Sequence, residues 1–203
     1  GGVSMRVIKG QVNAPLSWII RNRLRPAFWL GWIAVVFARL FSRVTGIPTL
    51  TSSLSLQVRT AAGQIIDYGI VGYRVVTNAG VAFLVDAFQN LVEPENLKYH
   101  GIGTDNTAEA AGDTALGAEL TTQYNPDSTR ATGTTAEGAS ANIYQTVGTN
   151  TVDAAAAIVE HGILDQAATG GGTLLDRTVF SVINLGSGDS LQSTYELTLN
   201  SGG

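Results

Sequence analysis

Residues 26–38 (PAFWLGWIAVVFA) carry no charge, and arginines close both ends of the run: Arg21, Arg23 and Arg25 before it, Arg39 and Arg43 after it. Nothing in residues 15–44 alternates apolar with polar as a half-buried strand would, so the stretch reads as helix. Pro26, which has no N–H and crowds the preceding turn, splits it into a short piece over 18–25 and a longer one over 27–44. A helix that is apolar all round has to be covered on several sides. Whatever this chain folds into must bury that helix or present it to something else.

Several kinds of cover compete. As a helix the 13 uncharged residues reach ~20 Å, whereas a bilayer core asks for about 20 apolar residues; that shortfall argues against a membrane span. A signal peptide fits poorly, because the charges come late and no small-x-small cleavage pattern follows. Arginine interleaved with tryptophan suits single-stranded nucleic acid, but here the apolar residues outnumber the arginines and form one block. The reading that remains is a docking arm over residues 1–50 that buries its aromatic face on a protein. Trp18, Trp29, Trp32 and Phe37 are its expected anchors. Arg21 with Arg25, and Arg39 with Arg43, stand four residues apart, a spacing that puts each pair on one helix face toward partner carboxylates. On this reading, removal of residues 1–45 leaves a folded domain behind.

Charge is segregated in the same sense. Eight basic residues and no acid precede Asp67; from Asp67 onward there are four basic and sixteen acidic residues, a net of −12. Such asymmetry marks two surfaces with different partners. Cysteine is absent, which removes disulfides, thiolate metal sites and a cysteine nucleophile from consideration.

After residue 48 the pattern changes to strands. Leu54, Leu56 and Val58 alternate in SLSLQVR, AAGQ reads as a turn, and IIDYG and GYRVVT follow as further strands. One helix interrupts them over about 78–91, capped by Thr77 or Asn78, with Val81, Leu84, Val85 and Phe88 on its expected inner face. Beyond it, strands are expected over 97–103, 142–149, 154–164, 173–184 and 190–200. The last would carry Leu191, Tyr195, Leu197 and Leu199 on one face. The pattern predicts a mainly β domain over 51–203, an antiparallel sandwich or jelly-roll with one covering helix.

No reaction centre emerges. His100 and His161 each precede a glycine, and each is expected at a sheet margin with a hydrogen-bonded imidazole. Asp105, Glu109 and Asp113 form an oxygen-rich loop without the alternating acids of a calcium loop, so a solvated turn is expected. Gly170-Gly171-Gly172 lacks the lysine and helix of a phosphate loop and reads as a hairpin connection. No serine sits in a nucleophile elbow. No catalytic, cofactor or metal residue is therefore expected.

The stretches DYGIVGYRVVTNAGVAFLVDAFQN, LKYHGIGTDNTAEAAGDTAL, RATGTTAEGASANIY, EHGILDQAATGGGTLLDRTVF and GDSLQSTYELTLNSGG resemble a group of small structural proteins of tailed bacteriophages and prophages. They span roughly three-quarters of the chain, from about residue 54 to its end. The resemblance implies a β-rich virion component without catalytic activity. The expectation is a capsid decoration (cement) protein on the capsid surface, touching the major capsid protein and neighbouring copies of itself as a homo-oligomer such as a trimer. A tail, neck or fibre protein is the alternative, and a membrane-associated protein or a glycan hydrolase stand behind it.

Overall fold

The computed structural model describes residues 11–73 and 75–201. Arg6 and Lys9 of the basic segment, and Arg74 of the GYRVVT stretch, lie outside the described residues. The chain runs β1 (Gln11–Asn13), α1 (Leu16–Arg23), α2 (Pro26–Thr45), β2 (Thr49–Arg59), β3 (Ile65–Tyr73), β4 (Val75–Val76) and α3 (Asn78–Phe88). A short 3₁₀ turn, Pro94–Asn96, leads to β5 (Tyr99–Gly103), β6 (Ala131–Thr132), β7 (Thr134–Glu137), β8 (Ile143–Thr151), β9 (Ala156–Leu164), β10 (Leu174–Leu185) and β11 (Ser190–Asn200). The fold is mainly β, as the alternation requires.

The strands form two sheets, ordered β1-β3-β2-β11-β8-β7 and β4-β10-β9-β5-β6. Alternation decides which face is which. Leu54, Leu56 and Val58 of β2, with Leu191, Tyr195 and Leu197 of β11, are buried, while Ser53, Ser55, Gln57, Thr194 and Glu196 between them are only partly covered. Strands β2 and β11 pair antiparallel over their full length, Leu54 opposite Tyr195 and Val58 opposite Leu191. Leu54, Leu56, Val58 and Leu191 meet Ile102, Ile158, Phe180, Ile183 and Leu185 of the second sheet in one core cluster. Phe83, Leu97, Ile163, Leu175, Tyr195 and Leu197 make a second cluster under α3. Leu199, expected to share the inner face of β11, is half exposed at the rim instead. The described ladders are antiparallel except β1–β3, which is parallel. The triglycine stretch lies in the connection between antiparallel neighbours β9 and β10, where Gly170 and Gly172 adopt positive φ.

Helix α3 corrects the sequence reading by one position. Thr77 caps it, its hydroxyl accepting from Gly80 N at 2.9 Å, but the buried residues are Gly80 and Phe83. Val81, Val85 and Phe88, three of the four expected inward residues, are exposed. The cause is Gly80: a Cβ there would lie 2.7 Å from Leu175 Cα, so the helix backbone rests on β10 itself. That close approach rotates the larger side chains outward.

The expected arm boundary at residue 50 also needs correction. Ala14 and Trp18 belong to the main core cluster. The β9–β10 ladder shifts register between Val179 and Ile183, and α1 takes up the backbone groups in that gap. Trp18 Nε1 donates to Val182 O at 2.8 Å. Asn22 Nδ2 donates to Val71 O at 2.8 Å, and its Oδ1 accepts from Ser181 N at 2.9 Å. Trp18 also meets Tyr68 edge-on, ring centroids 4.6 Å apart. Residues 11–24 are thus part of the β domain, and a cut at residue 45 would open its core. Trp18→Ala should cost about 3–5 kcal/mol through the cavity and the lost N–H bond, read as a drop in the urea midpoint. A midpoint unchanged from wild type would show that α1 is not integral.

Candidate functional site

The most distinctive surface is made by α2. Its N-cap is Arg25, Pro26 occupies the first turn, and Gly46 ends it in the left-handed conformation at φ +74°. The residues facing the six-stranded sheet are mostly small or polar. A Cβ on Gly31 would lie 2.9 Å from Tyr73 Cβ, so helix and strand are in backbone-range contact there. Ser42 is buried and shares a hydrogen bond with Thr49 Oγ1 at 2.7 Å, and Thr49 Oγ1 donates to Ala38 O at 3.2 Å. Phe28 packs edge-on against Tyr73, centroids 5.6 Å apart.

The large apolar residues are left outside. Leu30, Ile33, Phe37, Leu40 and Val44 follow a 3-4-3-4 spacing along one ridge, all exposed, Phe37 at 65%. Trp29 and Trp32 stack edge-on at 5.9 Å on the flank of that ridge, both half exposed. Only 6% of the helix's apolar window is buried. Monomeric proteins rarely leave a contiguous apolar patch of this kind uncovered.

The expected anchors divide. Trp29, Trp32 and Phe37 are on the outward surface, whereas Trp18 is 5% exposed and used internally, so its indole cannot anchor a partner. Arg21 and Arg25 do not share a face, because the break between α1 and α2 falls between them. Arg25 turns into a crevice with Glu109 and Phe28. Burial lowers its pKa and the Glu109 charge partly offsets this. Arg39 and Arg43 are both exposed, and Arg39 lines a groove beside Glu196 and Thr198. Arg21, Arg23, Arg39 and Arg43 are therefore the exposed arginines of this segment, and Arg25 is not.

The polar residues that could have suggested chemistry serve the fold. His100 and His161 are fully buried in mid-strand, not at a sheet margin as expected. His100 Nδ1 lies 3.0 Å from His161 Nε2, and His100 Nε2 lies 3.2 Å from Thr146 Oγ1. One imidazole donates this bond and the other accepts it. Gly148 and Gly133 leave the space the His100 ring fills.

The oxygen-rich loop is not simply solvated either. Arg177, 3% exposed, donates from Nε to Glu160 at 2.8 Å, from Nη1 to Asp113 at 3.0 Å and from Nη2 to Asp105 at 3.1 Å. Burial alone would lower the guanidinium's pKa, yet its hydrogen bonds to Glu160 and Asp113 and their charges outweigh that and raise it. The Asp105 carboxyl is held below its usual value, first by the Thr107 N–H and hydroxyl and then by Arg177. Glu160 also accepts from Gly117 N at 3.0 Å and Ala118 N at 2.8 Å. Arg130 does the same for the other end of the 104–130 loop, through both oxygens of Glu119 and the carbonyls of Gln166 and Gly171. Sequence reasoning missed this clamp, although Glu160 and Arg177, oppositely charged residues in apolar strands joined by a triglycine turn, were a signal that the two would pair.

Among the described residues, no group of three or more His, Asp or Glu side chains is placed to hold a metal ion. No protein-family profile, curated protein or solved structure matches the chain. Arg177→Met leaves the buried Glu160 carboxylate without its cation and should cost about 3–5 kcal/mol. Chemical denaturation of the pair of proteins reads this directly; a loss below 1 kcal/mol (less than ~1 on the scale of surface ion pairs) would mean the clamp is not structural.

Proposed function

We propose that this chain is a structural virion protein, a capsid decoration protein whose two facing sheets form a β-sandwich of the jelly-roll kind and whose helix α2 makes the contact with the assembly. The observation that carries the reading is the uncovered ridge Leu30, Ile33, Phe37, Leu40 and Val44 on a domain whose interior is otherwise closed. The major capsid protein and neighbouring copies are its partners on this reading. The resemblance of its sequence motifs to those of tailed-phage structural proteins points the same way.

A helix docked sideways fits better than one that spans a bilayer. At 20 residues α2 is long and apolar enough to cross a membrane, about 30 Å at ~1.5 Å per residue. Crossing would require it to leave Tyr73, Thr49 and the sheet face on which Gly31, Ala38 and Ser42 are fitted. Flotation with liposomes separates the two: a protein that floats with vesicles favours the membrane reading.

Quantitative mass spectrometry of purified particles tests the assignment. A ratio to the major capsid protein of one to one, or one to a small integer, is expected; a handful of copies per particle would place the protein in the tail or neck. Within the docking surface, Trp29→Ala should weaken co-sedimentation with shells by about 2 kcal/mol, roughly thirtyfold, and more than Arg21→Ala or Arg43→Ala. Equal binding by Trp29→Ala and wild type would remove α2 from the contact.

A further inference from the structure

The arginine fringe of α2 says which surfaces it can and cannot meet. Arg21 and Arg23 of α1 lie before the ridge and Arg39 and Arg43 of α2 toward its end, no acid occurs before Asp67, and Glu196 of β11 lines the groove beside Arg39 on one flank. Two α2 helices packed on each other would bring arginines together in either the parallel or the antiparallel sense. An apolar surface flanked by carboxylates is the complementary choice.

The chain carries such a surface. Helix α3 exposes Val81, Val85 and Phe88 at i, i+4, i+7 spacing, with Phe88 87% exposed, and Leu91 continues the patch. Beside it opens an apolar groove of about 370 Å³ lined by Leu84, Leu97, Tyr144, Leu197 and Leu199. The charged residues along this stretch up to the groove rim are Asp86, Glu93 and Glu95, with Lys98 the one cation among them. Both faces are helical ridges with seam spacing, the geometry by which helices interlock.

We propose that α2 of one copy docks on the α3 face of a second copy. The proposal rests on the reading of α2 as an assembly contact and names one of its partners. The outward ridge with Phe37 seats against Val85, Phe88 and the groove, and Arg21, Arg23, Arg39 and Arg43 meet Asp86, Glu93 and Glu95. Because the two faces are different surfaces of one chain, the contact is head-to-tail, and repetition closes a ring or extends a filament. A ring would suit the symmetric sites of a shell.

A mixing experiment on the full chain distinguishes this from any self-paired contact. Wild type should form oligomers in sedimentation equilibrium across a concentration series. Phe37→Asp, which spoils only the α2 ridge, and Phe88→Asp, which spoils only the α3 face, should each sediment as the 21.2 kDa monomer. Mixed, they should give a discrete complex of twice that mass, because the intact α3 of one receives the intact α2 of the other. Formation of that complex also shows that both variants are folded. No complex on mixing folded variants (circular dichroism as wild type), or an oligomeric Phe88→Asp, overturns the proposal. A wild type that stays monomeric yet co-sediments with shells overturns it too, while leaving the assembly role of α2 standing. One that neither self-associates nor binds shells ends both.

Discussion

Two glycines set the exterior of this molecule. At Gly31 the backbone of α2 meets Tyr73, and at Gly80 the backbone of α3 meets Leu175. A helix whose backbone lies against a strand presents its smallest residues to the domain, and its larger ones are forced to the flanks and the outside. That is why α2 turns Ala38 and Ser42 inward and Phe37 and Leu40 outward, and why α3 buries Phe83 but exposes Phe88. In both cases the arrangement inverts the usual amphipathic logic, in which the apolar stripe faces the core. The apolar area kept outside is worth roughly 25 cal/mol per Å² to whatever covers it.

The domain can tolerate this because its own closure does not depend on those residues. Its sheets are held by two apolar clusters, and its long 104–130 loop by buried ions. Glu160 and Arg130 fasten the loop alongside Leu116, Leu120 and Tyr124, the few large apolar residues that its Gly/Ala/Thr-rich sequence buries. Low overall charge is thus misleading: several of the few charges present are spent inside, and the remainder are sorted by sign across the surface.

How much of this was legible in the sequence follows from periodicity. Strand alternation located β2 and β11, because a period of two assigns faces without reference to partners, and turn signals between short runs located β5 and β8 to β10. The helices were located for the same reason, but their buried faces were not. For α3, apolar spacing selected Val81, Val85 and Phe88, and a single glycine overruled it. For Trp18, composition grouped the residue with the other tryptophans, whereas its fate was decided by a register shift in β10, more than 150 positions away. His100 and His161 looked like turn residues because glycine follows each, yet those glycines give room for packing within the sheet. Contacts distant in sequence, and glycines used for close approach instead of turning, are what local patterns cannot express.

Charge sorting then determines what the exposed apolar area can do. Apolar contact is non-directional, and an uncovered ridge with no charges would bind any similar ridge, including its own copy. An arginine-rich fringe disfavours the like pairing and favours an acid-flanked one. At physiological salt, charges are screened beyond about 8 Å, so this selection acts only when surfaces are nearly in contact. In the proposed head-to-tail contact, orientation is settled over the last few ångströms by the fringe, and residence afterwards is set by the buried ridge. The same ridge with mixed charges around it would keep the affinity of that contact and lose its order.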